Sequence, residues 1–164
     1  LVELLAVIVI LALIMSIAIY SISGILQTSR ENTFKETALN IISGVRMQLL
    51  AANELKAGEY YFKEGLLENN NELPFGGKIH YHEDGANVDG TSLVTRGSSS
   101  STCDPSKGSF VTVTEIGGSY SYSICLTSDD TTSSSAKYIN GSETDLLGKT
   151  VDTIHNVNSS SSED

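Results

Sequence analysis

Basic residues are scarce in this 164-residue chain: ten Lys and Arg stand against 20 Asp and Glu, for a formal net charge of -10. A surface of that sign repels phosphate backbones, and no Lys/Arg run relieves it locally, so direct nucleic-acid binding is not the default. No Lys or Arg precedes Arg30. The segment before it therefore lacks the basic n-region of a cleavable signal peptide, and a basic leader, if there was one, is expected upstream. Catalytic signatures are missing too. There is no G-x-S-x-G, no Walker loop, no HExxH and no Cys–His spacing, and the many serines are a matter of composition. The sequence reads as a non-enzyme with no cofactor and no metal.

Cysteine is equally sparse, with only Cys103 and Cys125. Two cysteines in an exported domain pair as a rule, and a bridge closing a loop of about 23 residues contributes roughly 3 kcal/mol in the entropic model. The alternative is two free thiols in a reducing compartment.

Apolar residues make up 40% of the chain but crowd its start. Leu4 to Met15 is unbroken, Ser16 interrupts, and Ile17, Ala18, Ile19, Tyr20, Ile22, Ile25 and Leu26 continue. At 1.5 Å per residue, some 25 residues span a bilayer core of roughly 30 Å. About 135 residues remain for one modest soluble domain. Within the apolar stretch stands one acid, Glu3. An ionised side chain deep in hydrocarbon costs on the order of 3 kcal/mol. Glu3 either snorkels to the interface from the helix end or pairs with an N-terminal ammonium, its own or a neighbour's.

The run Leu1-Val2-Glu3-Leu4-Leu5-Ala6-Val7-Ile8-Val9-Ile10-Leu11-Ala12 resembles the N-terminus of type IV pilins. That family's mature chain begins with Phe-Thr, the Phe often N-methylated, before Leu-hydrophobic-Glu-Leu-Leu. The resemblance implies that the sequence starts two residues inside that terminus. It also implies that Glu3 docks to the N-terminal amine of an adjacent subunit, while Leu4, Leu5, Val7, Ile8 and Leu11 pack into a filament core. Many pilins carry a glycine and a helix-breaking proline in this segment. Here the first glycine is Gly24 and the prolines are Pro74 and Pro105. Any local opening of the helix is expected near Ser16 to Gly24, where Ser16, Ser21 and Ser23 can bond back to the backbone.

Beyond Gln27 the composition turns polar but the period persists. Phe34, Ala38, Leu39, Ile42, Val45, Leu49 and Ala52 recur every three or four residues, the mark of an amphipathic helix with one core-facing stripe. A coiled-coil seam is the alternative. The helix is expected to run from Leu1 to about Ala52, some 75–80 Å if straight, and to stop between Asn53 and Gly58, with Gly58 as the stop signal. The organisation is thus an apolar transmembrane or filament-core helix over 1–26, its amphipathic continuation over 27–57, and a β-rich head over 58–164. The expected fold class is α+β, a long N-terminal helix packed on an antiparallel sheet, which the resemblance implies is the type IV pilin lollipop.

Within the head, Tyr60-Tyr61-Phe62, Asn69-Asn70-Asn71 and Pro74 mark an irregular connection. Strands are expected at Lys78–His82, Val111–Thr114, Tyr120–Leu126 and near Ala136–Ile139, with Gly117-Gly118 as a tight hairpin turn. Tyr120, Tyr122, Ile124 and Leu126 share the face toward the helix, and Cys125 faces the other way. Ser98–Ser101, Ser133–Ser135 and Ser159–Ser162 read as loops or tails, with O-linked glycans as an alternative. Asn140-Gly141-Ser142 and Asn158-Ser159-Ser160 match an N-glycosylation pattern. His80, His82, Glu83 and His155 are weighed as metal ligands, and Asp129-Asp130 as calcium ligands, against the simpler reading of solvated side chains.

The expected function is structural: the major subunit of a type IV pilus-like filament on a bacterial surface, serving adhesion or motility. Its partners are identical subunits in a helical homopolymer and, by resemblance, prepilin peptidase and the pilus assembly machinery. The cytoplasmic membrane holds the chain before assembly. A secretion pseudopilin or DNA-uptake pilin is the alternative within the family. A single-span, membrane-anchored binding module is the alternative of another class.

Overall fold

The computed structural model describes residues 1–68, 71–86, 90–97, 102–148 and 153–157. One helix dominates: α1, Val2–Ala51, 50 residues. Its end is a complete Schellman motif, in which Glu54 N–H donates to the Leu49 carbonyl (2.9 Å) and Asn53 N–H to Leu50 (3.2 Å). Asn53 takes the left-handed conformation that this closure needs (φ 54), a role asparagine tolerates. The stop is therefore Asn53 and not Gly58. Helix α1 is also continuous through Ser16–Gly24. Ser23 does bond back to Ile19 O (3.1 Å), but the ladder stays closed there, so this stretch shows no opening.

The rest is an antiparallel sheet of β1 (Gly58–Phe62), β2 (Val94–Arg96), β3 (Phe110–Ile116), β4 (Ser119–Leu126), β5 (Lys137–Ser142) and β6 (Ile154–Asn156), in the order β2-β1-β3-β4-β5-β6. Two short helices, α2 (Glu83–Ala86) and α3 (Glu143–Leu147), decorate it. The molecule is α+β, with a lollipop arrangement: an N-terminal helix whose second half is built into a six-stranded head.

The head forms where the helix stripe meets the sheet. Phe34, Ala38, Ile41, Ile42, Val45 and Leu49 are buried against Tyr60, Phe62, Val111, Val113, Tyr122, Ile124 and Leu126. The stripe is thus covered by a sheet, not by a coiled-coil partner. Ile41 joins it, Leu39 packs at its margin, and Ala52, past the helix end, is exposed. The β3–β4 hairpin closes Ile116 onto Ser119 through Gly117 and Gly118, both at positive φ (60 and 82), as a two-residue turn requires. Tyr120 lies near this tip and is exposed, so the core face of β4 begins at Tyr122. Cys125 points to the opposite face and joins Tyr61, Phe110 and Cys103 there.

Two strand expectations are corrected. Tyr60, Tyr61 and Phe62 belong to a strand, β1, paired with β2 on one side and β3 on the other. It is buried on both faces, so it lacks the polar alternation that announces a strand. Residues 78–82 form no ladder. They make single bridges to Glu72, Ser128 and Ser109, because successive backbone groups turn to different partners: Ile79 N–H to Asn71 O, His80 N–H to Thr127 O, and His80 O from Ser109 N–H.

Candidate assembly surface

Among the described residues, nothing covers the first half of α1, which is exposed throughout. Between Leu1 and Leu26, 18 large apolar side chains are exposed, none of them below 50%. Half-burying such a side chain is worth on the order of 1 kcal/mol. The set therefore carries roughly 10–20 kcal/mol of unrealised burial, as much as the whole stability of a typical domain. A rod of this kind does not persist in water, and needs lipid or other helices. Leu4, Leu5, Val7, Ile8 and Leu11 all belong to it; Leu4, Val7, Ile8 and Leu11, spaced i, i+3, i+4 and i+7, share one face of the helix, with Leu5 at its margin.

Glu3 sits in the first turn, exposed, with no hydrogen bond or ion pair to another described residue. Its carboxylate lies where the unsatisfied N–H groups of a helix start favour negative charge. The N-cap, Leu1, supplies no side-chain cap, so Glu3 is the polar handle of this end.

Polar groups further along the rod are already quiet. Thr28 donates to Gly24 O (3.1 Å), Thr33 to Ser29 O (2.9 Å) and Thr37 to Thr33 O (2.8 Å). Hydroxyls bonded within their own helix can enter an apolar environment without leaving a donor unpaired. The helix is tied to the head by Arg46, whose guanidinium donates to Glu143 Oε2 (2.6 Å) and lies 4.3 Å above the Tyr122 ring. Glu143 opens α3, which Ser142 and Asp145 cap reciprocally. Neither the ion pair nor α3 is among the features expected from sequence. The capping box Ser142-Glu143-Thr144-Asp145 was there to be read, whereas a pair 97 residues apart leaves no local signal.

The head's other candidates fall in separate places. Cys103 and Cys125 form a disulfide, with Cα atoms 5.4 Å apart. It pins residues 102–108 across the sheet face opposite α1. His82 stacks on Tyr61 at 3.9 Å, the His80 ring nitrogen faces Pro105 O at 3.2 Å, and His155 tilts against Tyr138. No group of three His, Cys, Asp or Glu side chains converges among the described residues. Asp129 accepts from Lys78 N–H, and Asp130 from Thr132 and from Ser133 N–H. Asp130 thus closes its own loop, while Asp129 ties that loop to the segment at Lys78. Asn140 is exposed on β5, while Ser142 of the same pattern is the α3 cap. Ser133 and Ser135 bond one another in a turn. Asn69, Asn70, Ser98–Ser101, Asn158 and Ser159–Ser162 lie outside the described residues.

No family model, curated protein or solved structure matches this chain. What the fold itself defines is a class. A single long apolar N-terminal helix carries an antiparallel head on its second half, an arrangement compatible with pilin-like subunits. The rod is also long and apolar enough to cross a membrane.

Proposed function

We propose that this chain is a structural subunit of an extracellular type IV pilus-like filament, serving adhesion or motility on a bacterial surface. The observation that carries this reading is the uncovered rod with its single acid, 18 exposed apolar side chains around one carboxylate. Held in the membrane before assembly, the rod exchanges lipid for the rods of identical subunits. Glu3 then meets the N-terminal ammonium of a neighbour, a partner that hydrocarbon does not offer. The role is structural, with no reaction and no cofactor, and the assembly machinery is that of type IV pili. A secretion pseudopilin uses the same construction.

The test is Glu3→Ala in the producing cell, read by electron microscopy of sheared surface material. The variant is expected to remain in the membrane fraction at wild-type level while filaments fall at least tenfold. Normal filaments from Glu3→Ala would remove the docking role. The membrane-anchored binding module rests on the same rod. It is favoured if the unaltered chain yields no filaments and stays wholly with the membrane.

A further inference from the structure

Charge and apolar surface are segregated along this molecule. Residues 1–51 hold three acids (Glu3, Glu31, Glu36) and three bases (Arg30, Lys35, Arg46). Subtracting these from the chain's 20 acids and 10 bases leaves 17 acids and 7 bases beyond residue 51, so the whole net charge of -10 lies on the head. The head's seven bases are already counted in that figure, and several of them are engaged within the head. Lys63 donates to Gly90 O, Arg96 to Ala57 O, and Lys137 lies over the Phe75 ring. Glu143 of the head pairs with Arg46, a base that comes from the helix. Glu54, Glu68, Glu83 and Glu115 are exposed.

Attraction between copies therefore resides in the rod, and repulsion in the head. We propose that ionic strength gates assembly: copies join through their rods only when mobile cations screen the heads. This rests on the filament reading above. Packed helices lie 8–10 Å apart, whereas a head of about 110 residues is roughly 30 Å across. Bringing rods together thus forces heads of like charge to about 30 Å between centres. The screening length is about 30 Å at 0.01 M salt and about 8 Å at 0.15 M. Over that distance the repulsion falls roughly 15-fold between the two conditions, while the burial of the rods hardly changes. Because no three acidic or imidazole ligands converge among the described residues, the agent is screening and not a chelated ion.

The test uses the full chain, purified in non-ionic detergent, then freed of detergent at a series of ionic strengths. Light scattering of the detergent-held protein should show mutual repulsion at 10 mM NaCl that weakens about tenfold by 150 mM. Pelletable filaments should appear only above a threshold salt concentration. MgCl2 and NaCl curves should superimpose when plotted against ionic strength. The variant E54Q/E68Q/E83Q/E115Q takes the head from -10 to -6, weakens repulsion about threefold, and should assemble at lower salt. Equal assembly at 10 and 150 mM overturns the gate while leaving the filament reading intact. Rescue by millimolar Mg2+, but not by NaCl of matched ionic strength, overturns screening in favour of a bound cation. Absence of filaments at every ionic strength overturns the gate, and the filament reading falls with it only if the producing cell also yields no filaments.

Discussion

The two halves of α1 carry the same kinds of side chain in opposite circumstances, and one pair of substitutions separates them. Ile42 is 0% exposed in the head core, whereas Leu11 is 50% exposed on the rod. Removing most of a fully buried isoleucine loses its transfer free energy and leaves a cavity, about 2–5 kcal/mol in all. For a head of this size that lowers the melting temperature by roughly 6 °C or more. Leu11→Ala removes a side chain that no other part of the chain covers, so the head's stability should change by less than about 0.5 kcal/mol. On the proposed function, its effect falls on association between copies. The assay is thermal unfolding of each detergent-held variant, followed by near-ultraviolet circular dichroism of the head tyrosines, beside filament yield from cells. A melting point lowered as much by Leu11→Ala as by Ile42→Ala would show that the rod folds back onto its own head, and the reasoning would fall. An unchanged melting point for Ile42→Ala would refute the sheet-covered stripe.

Reducing the Cys103–Cys125 bridge, or replacing both cysteines by serine, should cost the head about 3 kcal/mol, read as a lower denaturant midpoint. Arg46→Met breaks a half-exposed ion pair and a cation over the Tyr122 ring; the loss should be about 1 kcal/mol in urea unfolding, and a cycle with Glu143→Gln should show that the two changes are not additive. Acid should erode the loops first. Hydrogen bonds from the Ser106 hydroxyl and amide hold Asp104 below the usual carboxylate range, those from Ser133 and Thr132 do so for Asp130, and those from Ser142 for Asp145. A carboxyl with a depressed folded pKa stabilises above its ordinary value of about 3.9, and the contribution is lost as pH falls through the lower folded value. Melting temperature should therefore hold level above pH 5 and decline below pH 4, and Asp130→Asn should flatten that decline.

What could be read in advance followed from solvation. The rod announces itself because 26 consecutive residues have nowhere to hide in water, and the stripe from Phe34 to Leu49 because one face must be covered. Strand β4 was legible from Tyr122 onward through its alternation, and the face of Cys125 followed from that period. β1 was not, because burial on both faces erases the pattern. β2 and β6, three residues each, exist only through the neighbours they pair with. The stretch where the helix ends, from Asn53 on, was legible, but the residue that closes it is Asn53 and not Gly58. Glu3 was visible as a charge out of place, and the partner proposed for it belongs to another molecule, which a single chain does not contain.

One consequence of the continuous helix is mechanical. A pull along a chain of such subunits would enter through residues 1–26 and reach the head along a single hydrogen-bonded strut. From Phe34 to Leu49 the strut runs about 22 Å beside the sheet, gripped by six buried side chains. Tension along the axis loads those contacts together, as a lap joint is loaded, and not one after another as in peeling. The Schellman closure at Asn53 then turns the chain back into β1, which is paired on both sides, so the load path ends inside the sheet and not in a loop.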